Sequence, residues 1–179
     1  MKFLYKKSPY SFHQILSPDR LQNLIDLYKN DKEDIVLLCI GTDRMIGDSL
    51  GPIVGSLLRQ SFPSTHPFHI YGTLQNTVHA QNLPEVIHLL QNKHANSLII
   101  AIDASFGSPE DIGSVFIREG TLQPGAGVNK RLPALGDISI TGIAAEESRY
   151  PYLTLQTVRL SVIMQMAETI CRCIRSVQI

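Results

Sequence analysis

The chain of 179 residues carries sixteen basic and sixteen acidic side chains, so its formal net charge is zero, and 44% of its residues are hydrophobic against 18% charged. This length and balance describe one compact domain with its own core, and they exclude a general nucleic-acid binder, whose phosphate contacts need a basic excess. A membrane span is excluded as well, because it needs roughly 20 apolar residues in a row and Arg159, Glu168, Arg172 and Arg175 interrupt the most apolar late stretch.

The opening MKFLYKKSPYSF has no uninterrupted apolar region and no small-residue cleavage site, which predicts a cytoplasmic protein. Residues 1–33 read as an N-terminal extension and a helix packed on a single domain that spans 1–179. Ser17-Pro18-Asp19 predicts the helix start, with serine as N-cap, proline at the first helical position and an acid in the first turn. Leu21, Leu24, Ile25 and Tyr28 then share its apolar face. Asp34 to Ile40 is a short continuous apolar run that ends at Gly41, the pattern of a strand buried on both faces. Leu50, Ile53, Val54, Leu57 and Leu58 recur at helical spacing up to Phe62-Pro63, and Phe68 to Gly72 reads as a second strand. In Asn82-Leu83-Pro84-Glu85 the ends fit a capping box that opens a further helix, and Ser97 to Asp103 is a third strand, ending in an aspartate.

Beyond Gly107 the stretches Gly113–Gly120 and Gly136–Gly142 have strand character, separated by a loop rich in glycine, proline and asparagine from Gln123 to Asn129. From about Leu153 one long helix is expected, with Leu155, Val158, Val162, Met166, Ile170, Ile174 and Val177 on a core-facing stripe. The alternation of strand and helix predicts an α/β fold with right-handed crossovers and a mostly parallel sheet flanked by helices. The short basic clusters Lys6-Lys7 and Asn129-Lys130-Arg131 read as solvated surface.

Charge gathers where the strands end. Asp43, Asp48 and Asp103 all follow apolar runs, and ligand sites of open α/β sheets form at the carboxyl ends of strands. If the first and third strands are neighbours, the loops that carry these acids meet in one crevice. Each acid also has a simpler reading: Asp48 as the N-cap of the helix behind it, Asp103 in a local Asx turn, and Asp43 as a loop residue paired with Arg44. Gly41, Gly47 and Gly51 do not make a dinucleotide fingerprint, and no phosphate-binding lysine follows them. His79 lies in a loop that opens on the same face, while His66, His69, His88 and His94 have no companion at ligand spacing. Of the three cysteines, Cys39 reads as a buried hydrophobe, and Cys171 and Cys173 lie about 200° apart on a helix, so none is assigned chemistry. No resident metal or cofactor is expected.

The segments IVLLCIGTDRMIGDSLGPIVGSLL, YGTLQNTVHAQNLPEVI, LIIAIDASFG and LPALGDISITGI resemble the YyaC-type sporulation proteins of spore-forming Firmicutes, a family regarded as spore proteases. The likeness runs from about Ile35 to the last helix. More distantly, the chain is similar to the germination protease that degrades small acid-soluble spore proteins and to the hydrogenase maturation endopeptidases. That resemblance implies a three-layer, phosphorylase/hydrolase-like fold. The T-P-D-A-L-G-P and A-I-D-A stretches of the germination protease match Gly47–Pro52 and Ala101–Ala104, which carries its two essential aspartates onto Asp48 and Asp103. The distal histidine with which the maturation endopeptidases hold a target's metal has no counterpart near Gly136–Gly142, so a nickel-directed role is not implied.

The resemblance therefore implies a sporulation or germination endopeptidase with Asp48 and Asp103 as catalytic pair; Asp43, Arg44 and His79, from their places in the loops at the strand ends, are the candidate binding residues beside them. The helix dipole favours Asp48 as the ionised member, with Asp103 as the protonated donor and cleavage shifted toward acid pH. Two alternatives are a non-catalytic peptide-binding protein and a metal-dependent hydrolase that uses the two carboxylates with His79. The implied partner is a protein or peptide substrate such as small acid-soluble spore proteins, in the mother cell, forespore or spore core, with homo-oligomer formation left open.

Overall fold

Every residue of β2 (Ile35–Cys39) is buried, as its unbroken apolar run requires. The computed structural model to which this strand belongs describes residues 14–29, 32–63, 65–123 and 135–179. The two basic clusters and the glycine-rich segment beyond Gln123 lie outside the described residues. After β1 (Gln14–Ile15) and α1 (Pro18–Lys29), the chain passes through β2, α2 (Leu50–Ser61), β3 (Phe68–Tyr71), α3 (Leu83–Lys93) and β4 (Leu98–Gly107). It continues through β5 (Val115–Glu119), β6 (Ile138–Glu146), α4 (Pro151–Gln156) and α5 (Leu160–Arg175).

The strands form one six-stranded sheet in the order β1-β5-β6-β4-β2-β3. β3, β2, β4 and β6 run parallel, while β5 pairs antiparallel with both β6 and β1. The architecture is α/β with a mostly parallel sheet flanked by helices, as expected. β2 and β4 are neighbours, with Cys39 level with Ile102, and the chain leaves β2 toward β3 but β4 toward β5 and β6, the reversal of strand order at which ligand sites of open α/β sheets form.

Strand periodicity divides the core between two faces. Ile35, Leu37 and Cys39 join Leu98, Ile100 and Ile102 under α1, α2 and α5, in a cluster that includes Leu21, Leu58, Met166 and Ile170. Val36, Leu38 and Ile40 point the other way, to Ala101 and to Leu83 and Leu90 of α3. The three cysteines are free and buried, and burial pushes the Cys171 thiol up to about 11. No helix among the described residues is long and apolar enough to cross a membrane.

Four local expectations are corrected. The long C-terminal helix is two helices, with Thr157 to Arg159 between them. Leu155 packs with Phe106 and Ala145, whereas Ile163, Met166 and Ile170 pack on the main core, and one straight stripe cannot serve both clusters. β4 runs on to Gly107, so Asp103 lies inside a strand rather than after it. Asn82 stands at the N-cap position of α3 but makes no capping bond, because its Oδ1 accepts the His79 N–H at 2.8 Å and its Nδ2 donates to the Thr77 carbonyl at 2.9 Å. The N-cap of α2 is Ser49, and Asp48 ends the 3-10 turn Ile46–Asp48 just before it.

Candidate active site

The loop after β2 is tightly folded. Gly41 has φ +140°, and a Cβ on it would lie 2.1 Å from the Asp48 carbonyl oxygen. Its N–H donates to the Val78 carbonyl at 2.7 Å, and the Thr42 N–H donates to the Asp48 carbonyl at 2.9 Å. The loop thus closes back on the 3-10 turn. Gly51, at the start of α2, lies against the end of β2, where a Cβ would come within 2.1 Å of the Ile40 carbonyl oxygen. Leu155 of α4 rests on Gly47 from outside, so its side chain and backbone hold the turn in place. These contacts account for the glycines at 41, 47 and 51: the backbone itself is packed, and side chains would push it apart.

This folding brings Asp48 to Asp103. Asp103 is the sixth residue of β4, only 7% exposed, level with Thr141 of β6. Its Oδ1 accepts the Ala104 N–H at 2.8 Å, the local bond foreseen for an Asx turn but made here within a strand. Burial pushes the Asp103 carboxyl well above the usual carboxylate range, the charge of Asp48 beside it pushes it further, and the Ala104 N–H opposes both. Asp48 is partly buried, and that burial raises it to about 6 against the opposing hydrogen bond from the Thr42 backbone. The helix dipole was expected to lower Asp48; desolvation outweighs it, since Asp48 sits in the turn before the cap. Both carboxyls are thus held above the ordinary carboxylate range, and the charge of one makes it harder for the other to ionise.

Asp43 and Arg44 are exposed in the turn before the 3-10 segment and form no ion pair with each other. The Arg44 N–H donates instead to the Thr42 hydroxyl at 3.3 Å. His79 follows Val78, which bridges to Ile40, so its backbone runs beside the Gly41 loop. Its ring Nδ1 accepts the Gln81 N–H at 3.3 Å, a bond that shapes its own loop. Among the described residues, Asp48, Asp103 and His79 do not form a group of three with ligand atoms close enough to share an ion.

A groove of about 950 Å³ lies away from the two aspartates. It follows β3, the outermost strand on that side of the sheet, between Arg59, Phe62, Tyr71, Thr73, Asn76 and Thr77. Reasoning from sequence found the aspartate pair but not this groove, which is assembled from the edge of a strand and the loop that follows it.

Comparison with known proteins places the chain among relatives. A crystal structure of the NiFe hydrogenase maturation protease HycI from Thermococcus kodakarensis KOD1 is similar with a TM-score of 0.47 and 17% identity, over 85% of this chain and 99% of that one. The protein YyaC of Bacillus subtilis (strain 168), described as uncharacterized, is 44% identical over 144 residues, which cover 80% of this chain and 69% of that protein. Residues 8–173 match the family described as protein of unknown function (DUF1256), and the chain belongs to that family.

Proposed function

We propose that this protein is an endopeptidase of sporulation or germination that hydrolyses peptide bonds of spore proteins with Asp48 and Asp103. The observation that carries the reading is a pair of carboxylates from separate segments, with proton affinities raised by burial and set apart by their mutual charge. Near neutral pH, Asp48 is ionised and Asp103 is protonated. Asp48 takes a proton from water as the water oxygen bonds to the carbonyl carbon, and Asp103 gives its proton to the carbonyl oxygen. When the tetrahedral diol collapses, the C–N bond breaks, the proton held by Asp48 passes to the leaving amine, and a hydroxyl of the diol returns its proton to Asp103 as the carbonyl re-forms. The resemblance to the germination protease supports small acid-soluble spore proteins as substrates.

The test is cleavage of those proteins by the purified chain, with and without chelator, beside Asp48→Asn and Asp103→Asn. Loss of cleavage in both folded variants, insensitive to chelator, is the expected result; full activity in either variant overturns the mechanism. A second reading, peptide binding without turnover, is favoured by the groove along β3, an edge strand with no further strand paired on its outer side. Saturable peptide binding with no cleavage under any condition would select it.

A further inference from the structure

At the opposite end of the sheet, three side chains that the sequence scatters come together. Asp34 precedes β2, His69 is the second residue of β3, and His94 is the C-cap of α3. One ligand atom from each lies within 4.8 Å of the other two. Strand periodicity explains the meeting: Asp34 shares a face with Val36 and Leu38, His69 shares one with Tyr71, and both faces look toward α3.

We propose that Asp34, His69 and His94 form a binding site for one borderline transition-metal dication, with zinc the best match. Two imidazoles and a carboxylate are the donor set that such ions take. Tetrahedral coordination with bonds of 2.0–2.1 Å puts ligand atoms about 3.3 Å apart. His69 Nε2 and Asp34 Oδ2 already stand at 3.4 Å. The two imidazole rings have centroids 4.5 Å apart, and one ligand atom of each lies within 4.8 Å of the other and of the carboxylate. His94 is also held from outside: the Ser97 hydroxyl lies 3.3 Å from its Nδ1 and the Tyr71 hydroxyl 2.9 Å from its Nε2. With Nδ1–H turned to Ser97, Nε2 keeps a lone pair, which the Tyr71 hydroxyl meets here and which an ion would take in its place. Such outer hydrogen bonds fix the tautomer and aim of a ligating histidine. The negative end of the α3 dipole falls at the same place and favours a cation there. Asp34 and His69 are each about two-fifths exposed, which leaves the ion a path in.

The ion would tie the starts of β2 and β3 to the end of α3. This position is distinct from the aspartate pair, because the five-residue β2 separates them by about 16 Å at 3.3 Å per residue. The proposal therefore does not depend on peptidase activity. Nor does it match the expectation from sequence that no metal is held and that His69 and His94 lack companions. The three ligands come from three segments at no motif spacing, and only the sheet register unites them.

The test is titration of the full chain with zinc chloride by calorimetry, and with cobalt chloride by visible absorption, which intensifies when the ion is four-coordinate. One saturable equivalent is expected in the wild type and in Asp48→Asn. Affinity should fall at least about tenfold in His69→Ala and in His94→Gln, each checked for native circular dichroism. No saturable binding in the wild type would overturn the site. So would affinity that survives in both histidine variants, or that disappears only in Asp48→Asn, which would place the ion at the aspartate pair.

Discussion

Replacing Asp48 by asparagine should stabilise the protein while it removes cleavage, and the gain should depend on pH. In the unfolded chain the Asp48 carboxyl ionises at the ordinary 3.8, whereas in the folded chain burial raises it to about 6. Between those values the folded state keeps a proton that the unfolded state has released. Stability therefore falls as pH rises through the interval and levels off above about 6. At 1.36 kcal/mol per pH unit, the ionised carboxylate costs the wild type about 3 kcal/mol once both states are deprotonated. Asparagine fills nearly the same space without a charge and escapes that cost. Its amide still needs partners in the crevice, so the expected gain near pH 8 is about 1–3 kcal/mol. Near pH 3 the side chains of both proteins are neutral and the gain should vanish. Urea unfolding of both proteins across this pH range measures the difference directly. A difference independent of pH, or an asparagine variant less stable than the wild type near pH 8, would refute the argument that burial of this carboxylate governs its ionisation.

Other consequences follow from the same geometry. Cleavage should be lost as pH falls through about 6, where Asp48 takes up a proton, and should persist at neutral pH because Asp103 keeps its own; a pH–rate profile still rising below about pH 5 would contradict the assigned roles. This replaces the acid-shifted activity expected from sequence, since burial has moved both groups upward. Gly51→Ala places a Cβ 2.1 Å from the Ile40 carbonyl and should lower stability by about 1–3 kcal/mol or more, read as a drop in thermal midpoint. Leu155→Ala removes the side chain that rests on Gly47 and should cost about 2–5 kcal/mol together with most of the cleavage rate, whereas Leu153→Ala, at an exposed position of the same helix, should leave both unchanged.

The elements that sequence made legible are those with a single dominant burial signal. Ile35 to Cys39 and Leu98 to Ile102 are apolar without interruption and could only be buried strands, and α1 and α2 each show one stripe at helical spacing. The predictions failed where two partners compete for one segment. The stretch from Leu153 onward looks like one stripe, yet Leu155 answers to Phe106 and Ala145 while Ile163 and Met166 answer to the main core, so the chain breaks between them. Asn82 has the right type and spacing for a cap, but the loop carbonyl of Thr77 and the N–H of His79 claim its side chain first.

For function the division is similar. Residue types and local order drew attention to Asp103, because an acid behind a buried strand is costly and needs a reason, while the resemblance to the germination protease joined Asp48 to it. Sequence by itself determined the α/β alternation, the two faces of the core and the identity of that carboxylate pair. Tertiary structure decided the environment of the pair: the adjacency of β2 and β4 and the collapse of the Gly41–Asp48 loop bury both carboxyls and bring each within reach of the other's charge. It also decided that Asp34, His69 and His94 meet at all. Side chains far apart along the chain acquire a common environment only through strand register and crossover, which are set by the packing of the whole sheet.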